Sequence, residues 1–298
     1  MDQYFVKDGK KPLSQIVFPK PVFSQEEKRK QEILLQQTEH VQPSIGVLSA
    51  GMYRLFQQAG FSPDFTVGHS FGELTALWAG GVFSDEDYLL LAKARGKAMA
   101  PPEDPHFDAG AMIAVKGEIS QIKEAIEEIE GVEIANFNAP EQSVVAGSKI
   151  GIEKAKAVLK DQKLSAVPLP VSAAFHTPLV EHAQEPFAKV LQSISFHTPQ
   201  FPVYSNTTAK PYEKKPEKIR ELLSKQILHP VLFQQEIENL AREGAYVFVE
   251  FGPKNVLTRL VKSILKDTPH VALALNHHAK QNSDTQLRQC FVALKVLG

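Results

Sequence analysis

Residues 64–81 read DFTVGHSFGELTALWAGG, and the order of residue types in that stretch decides the fold. An apolar, β-like run ends in Gly68-His69-Ser70-Phe71-Gly72, a match to G-x-S-x-G, in which a serine occupies a tight turn between a strand and a helix. Leu74, Leu77 and Trp78 follow at helical spacing, and Gly80 and Gly81 end the run. The five-residue pattern alone is weak. Its flanks give it weight, because strand, sharp turn and helix form the connection in which an α/β sheet presents a nucleophile. The helix N-terminus behind Ser70 also favours a developing oxyanion.

Upstream, Ser24 precedes Glu27 by three residues, a capping box that opens a charged helix reaching His40. Pro43 then stands near the start of a core-facing helix that carries Ile45, Leu48, Met52 and Leu55 and stops at Gly60. Downstream, Ser84 and Asp87 cap a further helix, which Pro101 and Pro102 terminate. Between residues 109 and 171 the pattern changes to four short strands, AGAMIAVKG, VEIANFN, QSVVAGS and SAVPLPV. Two amphipathic helices separate them, one with Ile119, Ile122, Ile126 and Ile129, the other with Ile152, Ala155 and Leu159. That βαββαβ order is ferredoxin-like. FPVYSNTTA and AYVFVEFGP then read as buried strands of a resumed α/β unit. The expected organisation is α/β, with residues 1–108 and 172–298 forming one large subdomain around a small one at 109–171.

With 298 residues, 43% of them hydrophobic and 22% charged, the chain has the composition of a globular protein with a substantial core. Lys and Arg number 33 against 34 for Asp and Glu, a net charge of −1. Such a balance offers no field for nucleic acid or an anionic membrane. No run approaches the ~18 consecutive apolar residues of a membrane span. The lone Cys290 excludes an intramolecular disulfide and points to a reducing compartment, so a cytoplasmic protein is expected. The sequence has no G-x-G-x-x-G, P-loop, H-E-x-x-H or paired cysteines, and neither a metal nor a bound cofactor is expected.

A serine nucleophile needs a base, and ten histidines are present. His176 stands out because PLPVSAAFHTPLV reads as an apolar strand halted by Thr177-Pro178, and strand ends are where α/β sheets place catalytic groups. The other nine stay open on residue type alone, and no aspartate is an obvious third member. Arg95, in AKARGKAM, has the planar fork that binds a carboxylate through two parallel hydrogen bonds. A helix arginine that merely covers apolar surface with its stem is the competing reading.

Nine stretches, in this order, resemble the malonyl-CoA:acyl-carrier-protein transacylase family: TEHVQPS, GHSFGEL, AKARGKAM, GAMIAV, NFNAPEQSVVAG, FHTPL, PVYSNTTA, QILHPV and VEFGPKNVL. The resemblance covers roughly residues 35–266 and looks closest to the acyltransferase domains of type I polyketide and polyunsaturated-fatty-acid synthases. It implies an α/β-hydrolase-like large subdomain interrupted by a ferredoxin-like small one. By resemblance Ser70 is the acyl-accepting serine, His176 its base and Arg95 the residue that holds a malonyl carboxylate. The Phe71 N–H is implied as an oxyanion donor, the Gln226 main-chain carbonyl as the group orienting His176, and His69 and Phe175 as substrate contacts. Phe175 stands where methylmalonyl-type domains usually carry serine. The implied partners are malonyl-CoA, an acyl carrier protein and other synthase domains, with coenzyme A entering only as a thioester substrate.

The family normally begins with a strand leading into a G-Q-G-S-Q loop, which donates a second oxyanion N–H, and residues 1–43 contain no match to it. The expectation from sequence is therefore an N-terminally truncated acyltransferase that moves malonyl from coenzyme A to a carrier protein. Two rivals are a catalytically silent fragment serving as a docking piece and a serine hydrolase, which would have no use for Arg95.

Overall fold

The computed structural model describes residues 1–104 and 106–297; Pro105 and Gly298, inside the spans expected for the large subdomain, lie outside the described residues. Two short helices, α1 (Asp2–Lys7) and α2 (Leu13–Val17), precede α3 (Gln25–Gln36). The Ser24 side chain accepts from the Glu27 N–H at 3.0 Å, so the predicted cap forms, while the Glu27 carboxylate meets the Ser24 hydroxyl at 2.9 Å and not the Ser24 N–H of a full capping box. Helix α4 (Thr38–Gln58) differs from expectation, because it begins before Pro43 and runs through it. Proline removes one intrahelical bond there. The Ser44 hydroxyl bonds the neighbouring His40 carbonyl at 2.7 Å. Close approach to α6 (Asp85–Ala98) holds the helix in line, since a Cβ on Gly96 would come within 2.8 Å of the Thr38 carbonyl.

Helix α5 (Phe71–Ala79) follows Ser70 directly, and α6 is capped by the Ser84 hydroxyl accepting from the Asp87 N–H at 3.1 Å. Leu74 and Leu77 of α5 and Leu91 of α6 are fully buried in one core, along with Phe187 and Leu191 of α9 (Gln184–Gln192) and Leu223 of α10 (Pro216–Lys225). Burial of each such side chain contributes about 1.5–3 kcal/mol. All three apolar positions predicted for α5, Leu74, Leu77 and Trp78, thus face inward.

The small sheet contains β1 (Ala111–Lys116), β2 (Val132–Ala139), β3 (Gln142–Gly147) and β4 (Ser165–Pro168), in the order β2-β3-β1-β4 with every neighbouring pair antiparallel. Helices α7 (Ile119–Ile126) and α8 (Lys149–Asp161) cover it with the predicted residues: Ile122, Ile126, Ile152, Ala155 and Leu159 are buried against Ile113 and Val115. This is the ferredoxin-like arrangement. Ile129 lies beyond the end of α7 and is only partly buried.

In the large part, β5 (Val247–Pro253) and β6 (Val271–Asn276) pair in parallel, flanked by α11 (Phe233–Arg242), α12 (Val256–Ile264) and α13 (Ser283–Leu297). Here the expected pair of buried strands is corrected. DFTVGHS and FPVYSNTTA meet through one parallel bridge, Thr66 to Val203, with hydrogen bonds of 3.1 and 2.9 Å from and to Thr66, and β5 is only half-buried. The cause is one-sided pairing. Thr66 turns its backbone groups toward residues 202 and 204, so Phe65 and Val67 turn theirs the other way. Val271 donates to the Tyr246 carbonyl, so Val247 and Val249 also face away from β6. These two edges, unbonded to each other among the described residues, line a cleft of about 810 Å³ with Phe251, Phe233 and Tyr53.

Candidate active site

The turn into α5 is made by one close approach. A Cβ on Gly68 would lie 2.0 Å from the carbonyl carbon and oxygen of Gly72, so only glycine fits at 68. Gly72 itself has open space around the equivalent position; its backbone is the obstacle. Ser70 is left at φ 53°, ψ −110°, a strained conformation for a residue with a side chain.

His176 also has positive φ, at 64°, and its ring reaches Ser70: Nε2 is 2.7 Å from Oγ. On its other side Nδ1 faces two main-chain carbonyls, Gln226 at 3.2 Å and His229 at 3.1 Å. Carbonyls only accept, so Nδ1 carries the proton and Nε2 presents its lone pair to the serine hydroxyl. No acid is needed to fix this tautomer. Burial, followed by the charge of Arg95 and by His69, lowers the His176 pKa to about 3, so the ring is neutral at ordinary pH.

Arg95, 1% exposed, extends from α6 with NH1 2.8 Å from Gln42 Oε1 and NH2 3.0 Å from Gln226 Oε1 and 3.4 Å from Ser70 Oγ. Every one of these partners is neutral. A buried guanidinium bonded only to neutral groups keeps the planar fork that pairs with a carboxylate through two parallel hydrogen bonds. Burial lowers its pKa to about 10, partly opposed by the charge of Glu73, and it stays cationic at neutral pH.

The Phe71 N–H has no hydrogen-bond acceptor among the described residues, whereas the Ser70 N–H is taken by Asn206 Oδ1 at 2.7 Å. His69 turns from the serine toward the small sheet, its Nε2 2.7 Å from Asn138 Oδ1 on β2 and its ring edge-on to Phe233. Phe175 is partly buried among Ala109, Ala173 and Val180, at the junction between β4 and the resumed large part. Ser70, His176, Arg95, Gln226 and Phe71 therefore converge, while His69 and Phe175 border the group. Sequence reasoning missed Gln42, Asn206 and the His229 carbonyl. All three lie inside the quoted stretches TEHVQPS, PVYSNTTA and QILHPV, but an amide or a main-chain carbonyl carries no spacing signal of its own. Among the described residues, no group of three His, Cys, Asp or Glu side chains could hold a metal, and no helix is long and apolar enough to cross a membrane.

The sequence profile of the acyl transferase domain matches residues 8–293. The chain belongs to this acyl transferase family. It is 35% identical over 293 residues to a polyunsaturated fatty acid synthase polypeptide of Thraustochytrium sp., a match covering 96% of this chain and 10% of that much longer protein. It is also 35% identical to the malonyl CoA-acyl carrier protein transacylase of Bacillus subtilis, over 80% of this chain and 76% of that one. The acyl-carrier-protein-S-malonyltransferase of Bartonella henselae superposes with a TM-score of 0.83 at 29% identity, covering 100% of this chain and 90% of that one. A type II polyketide malonyl-transacylase solved with its acyl-carrier protein gives 0.81 at 32% identity, over 97% and 91% of the two chains. This acyl transferase thus shares the α/β fold of those proteins, and its Ser70, His176 and buried Arg95 meet in one place.

Proposed function

We propose that this chain transfers a malonyl group from coenzyme A to the phosphopantetheine thiol of an acyl carrier protein through an acyl-Ser70 intermediate. The observation that carries this reading is Arg95: a buried cation with only neutral partners, 3.4 Å from the nucleophilic oxygen, selects an acyl group that ends in a carboxylate.

In the first half-reaction His176 Nε2 takes the Ser70 proton as Oγ bonds the thioester carbonyl carbon. The carbonyl oxygen becomes an oxyanion facing the Phe71 N–H. Collapse breaks the C–S bond, and the His176 proton leaves with the coenzyme A thiol. In the second half-reaction the carrier thiol gives its proton to His176, its sulfur attacks the acyl-serine ester, and Oγ recovers the proton. No redox partner, metal or bound cofactor enters. The main-chain carbonyls of Gln226 and His229 hold the ring in the working tautomer, and we assign Phe175 and His69 to the walls of the acyl site. Residues 109–171 serve as the small subdomain, which packs on the large one formed by 1–108 and 172–298 through contacts such as Asn138 with His69. Other domains of a synthase are further partners, and the cytoplasm, where coenzyme A thioesters and the free Cys290 are at home, is the proposed compartment.

The contact between Ser70 and His176 weighs against a silent fragment, and Arg95 weighs against a hydrolase of neutral esters. Incubation with malonyl-CoA and holo acyl carrier protein separates the readings. Malonyl thioester on the carrier is the expected product, whereas release of free malonate with an unloaded carrier would mean hydrolysis.

A further inference from the structure

The strained Ser70 turn is held by side chains, and one amide spans it. Asn206 Oδ1 accepts from the Ser70 N–H at 2.7 Å, while Nδ2 of the same amide donates to the Gly68 carbonyl at 2.6 Å. Gln226 Nε2 bonds the Ser70 carbonyl at 2.9 Å and reaches Asn206 Oδ1 at 3.3 Å. Asn206 therefore stands where a neighbouring strand would bond a regular one. It works in only one orientation. With the amide turned over, an N–H donor would face the Ser70 N–H and an oxygen would face the Gly68 oxygen.

The orientation is set from behind. Asn206 Nδ2 lies 3.1 and 3.0 Å from the two carboxyl oxygens of Glu236 on α11. Glu236 is fully buried, makes no ion pair, and meets no other side-chain hydrogen-bond partner among the described residues. Its helix neighbours Phe233, Ile237 and Leu240 are packed in an apolar core. A carboxyl group there, with a single amide contact, opposes folding, so stability does not account for its presence. Burial and the charge of Glu73 push its pKa well up. Either protonation state keeps an oxygen to accept from Nδ2.

From this geometry we infer that Glu236 is a positioning residue: it fixes the Asn206 amide, which locks the Gly68–Ser70 turn so that Oγ meets His176 and the Phe71 N–H stays free. Neither side chain bonds Ser70 Oγ or the His176 ring. The inference rests on Ser70 being the nucleophile and not on which acyl group it carries.

The test compares Glu236→Gln with Glu236→Leu in the full chain. Gln keeps an acceptor oxygen for Asn206, and Leu keeps the volume without one. Three quantities are measured: kcat and KM for malonyl-CoA, the rate at which a fluorophosphonate labels Ser70, and the melting temperature. Glu236→Leu should lose about ten-fold or more in both kcat and labelling rate. Its KM should barely change, and its melting temperature should be equal to or above that of the parent. Glu236→Gln should stay within about three-fold of the parent in kcat. Opposite movement of stability and rate is the signature that a merely structural role cannot give. Equal losses in the two variants, or a Leu variant as active as the parent, would overturn the inference. Should Leu not fold, Asn206→Asp decides, because it sets a carboxylate against Glu236 and the Gly68 carbonyl. Activity lost in Asn206→Asp should return in part in the Asn206→Asp/Glu236→Gln double variant, where the amide introduced on α11 donates to the new carboxylate oxygen. No recovery would equally overturn it. Fluorophosphonate labelling reports the turn whatever the natural acyl donor is, so a failure of the malonyl reading would leave this result legible.

Discussion

Arg95 and His176 are coupled through charge, which ties substrate choice to base strength. After burial, the Arg95 cation is the largest cause of the low His176 pKa. A malonyl carboxylate paired with Arg95 would offset that charge, so the base gains strength when the right acyl group is bound. Arg95→Ala should therefore raise the His176 pKa, read by NMR titration of the ring, and should lose malonyl transfer far more than acetyl transfer. Equal losses for the two acyl groups would assign Arg95 to stability alone. Glu73 gives a pH test of the same buried region. Burial raises its carboxyl to about 7, against a hydrogen bond from Tyr212 that lowers it. A raised folded value means that the folded state binds the proton more tightly than the unfolded one. This contribution is complete below the ordinary carboxylate range and is lost as pH rises through about 7. Glu73→Gln, always neutral, should then gain on the order of 3 kcal/mol over the parent near pH 8 and little near pH 4, as followed by denaturant melts. A gain independent of pH would contradict the assignment.

Among the elements, the strand-to-helix turn shows that the two glycines of G-x-S-x-G are not equivalent. Gly68→Ala should abolish Ser70 labelling and lower stability sharply, because its Cβ would overlap the Gly72 backbone. Gly72→Ala, in open space within the first turn of α5, should leave the melting temperature unchanged or raised. Thermal melts and labelling of the two variants check this, and a reversed order would contradict the turn geometry. The helices are legible in the sequence where local chemistry sets them, as at the Ser24 and Ser84 caps and the isoleucine stripes of α7. Pro43 departs from that pattern because local rules put proline at a helix start, whereas packing of α4 on α6 at Gly96 carries the helix through it. The stretches around Thr66 and Val203 fall short of full strands for a related reason. Apolar composition predicts the conformation of a residue but not whether a partner edge lies beside it. In the site, Ser70, His176 and Arg95 are legible from motifs, whereas Asn206, Gln42 and Glu236 act through amide and carboxyl geometry that only the folded chain brings together.

Across the molecule, each strand of the ferredoxin-like sheet is bonded to its neighbour, whereas the segment leading to Ser70 has a single bridge and opens on the cleft along its other edge. Stability should differ accordingly along the chain. In amide hydrogen exchange, Phe65, Val67, Val247 and Val249 should exchange much faster than Thr66 and Tyr204, whose N–H groups are bonded at 3.1 and 2.9 Å. Uniform protection across both sets would mean that the edges are bonded in solution. The open cleft reaches Gly68 and Gly72 behind the elbow but is lined by neither Ser70, His176 nor Arg95. The proposed transfer requires that Ser70 accept a carboxylate-bearing acyl group held by Arg95. Intact-protein mass spectrometry after mixing the chain with malonyl-CoA reads that step without a carrier protein present. The mass should increase by one malonyl group, located on Ser70 by peptide mapping, absent in Ser70→Ala and discharged by a carrier thiol added afterwards. An adduct that persists undiminished in Ser70→Ala would contradict it.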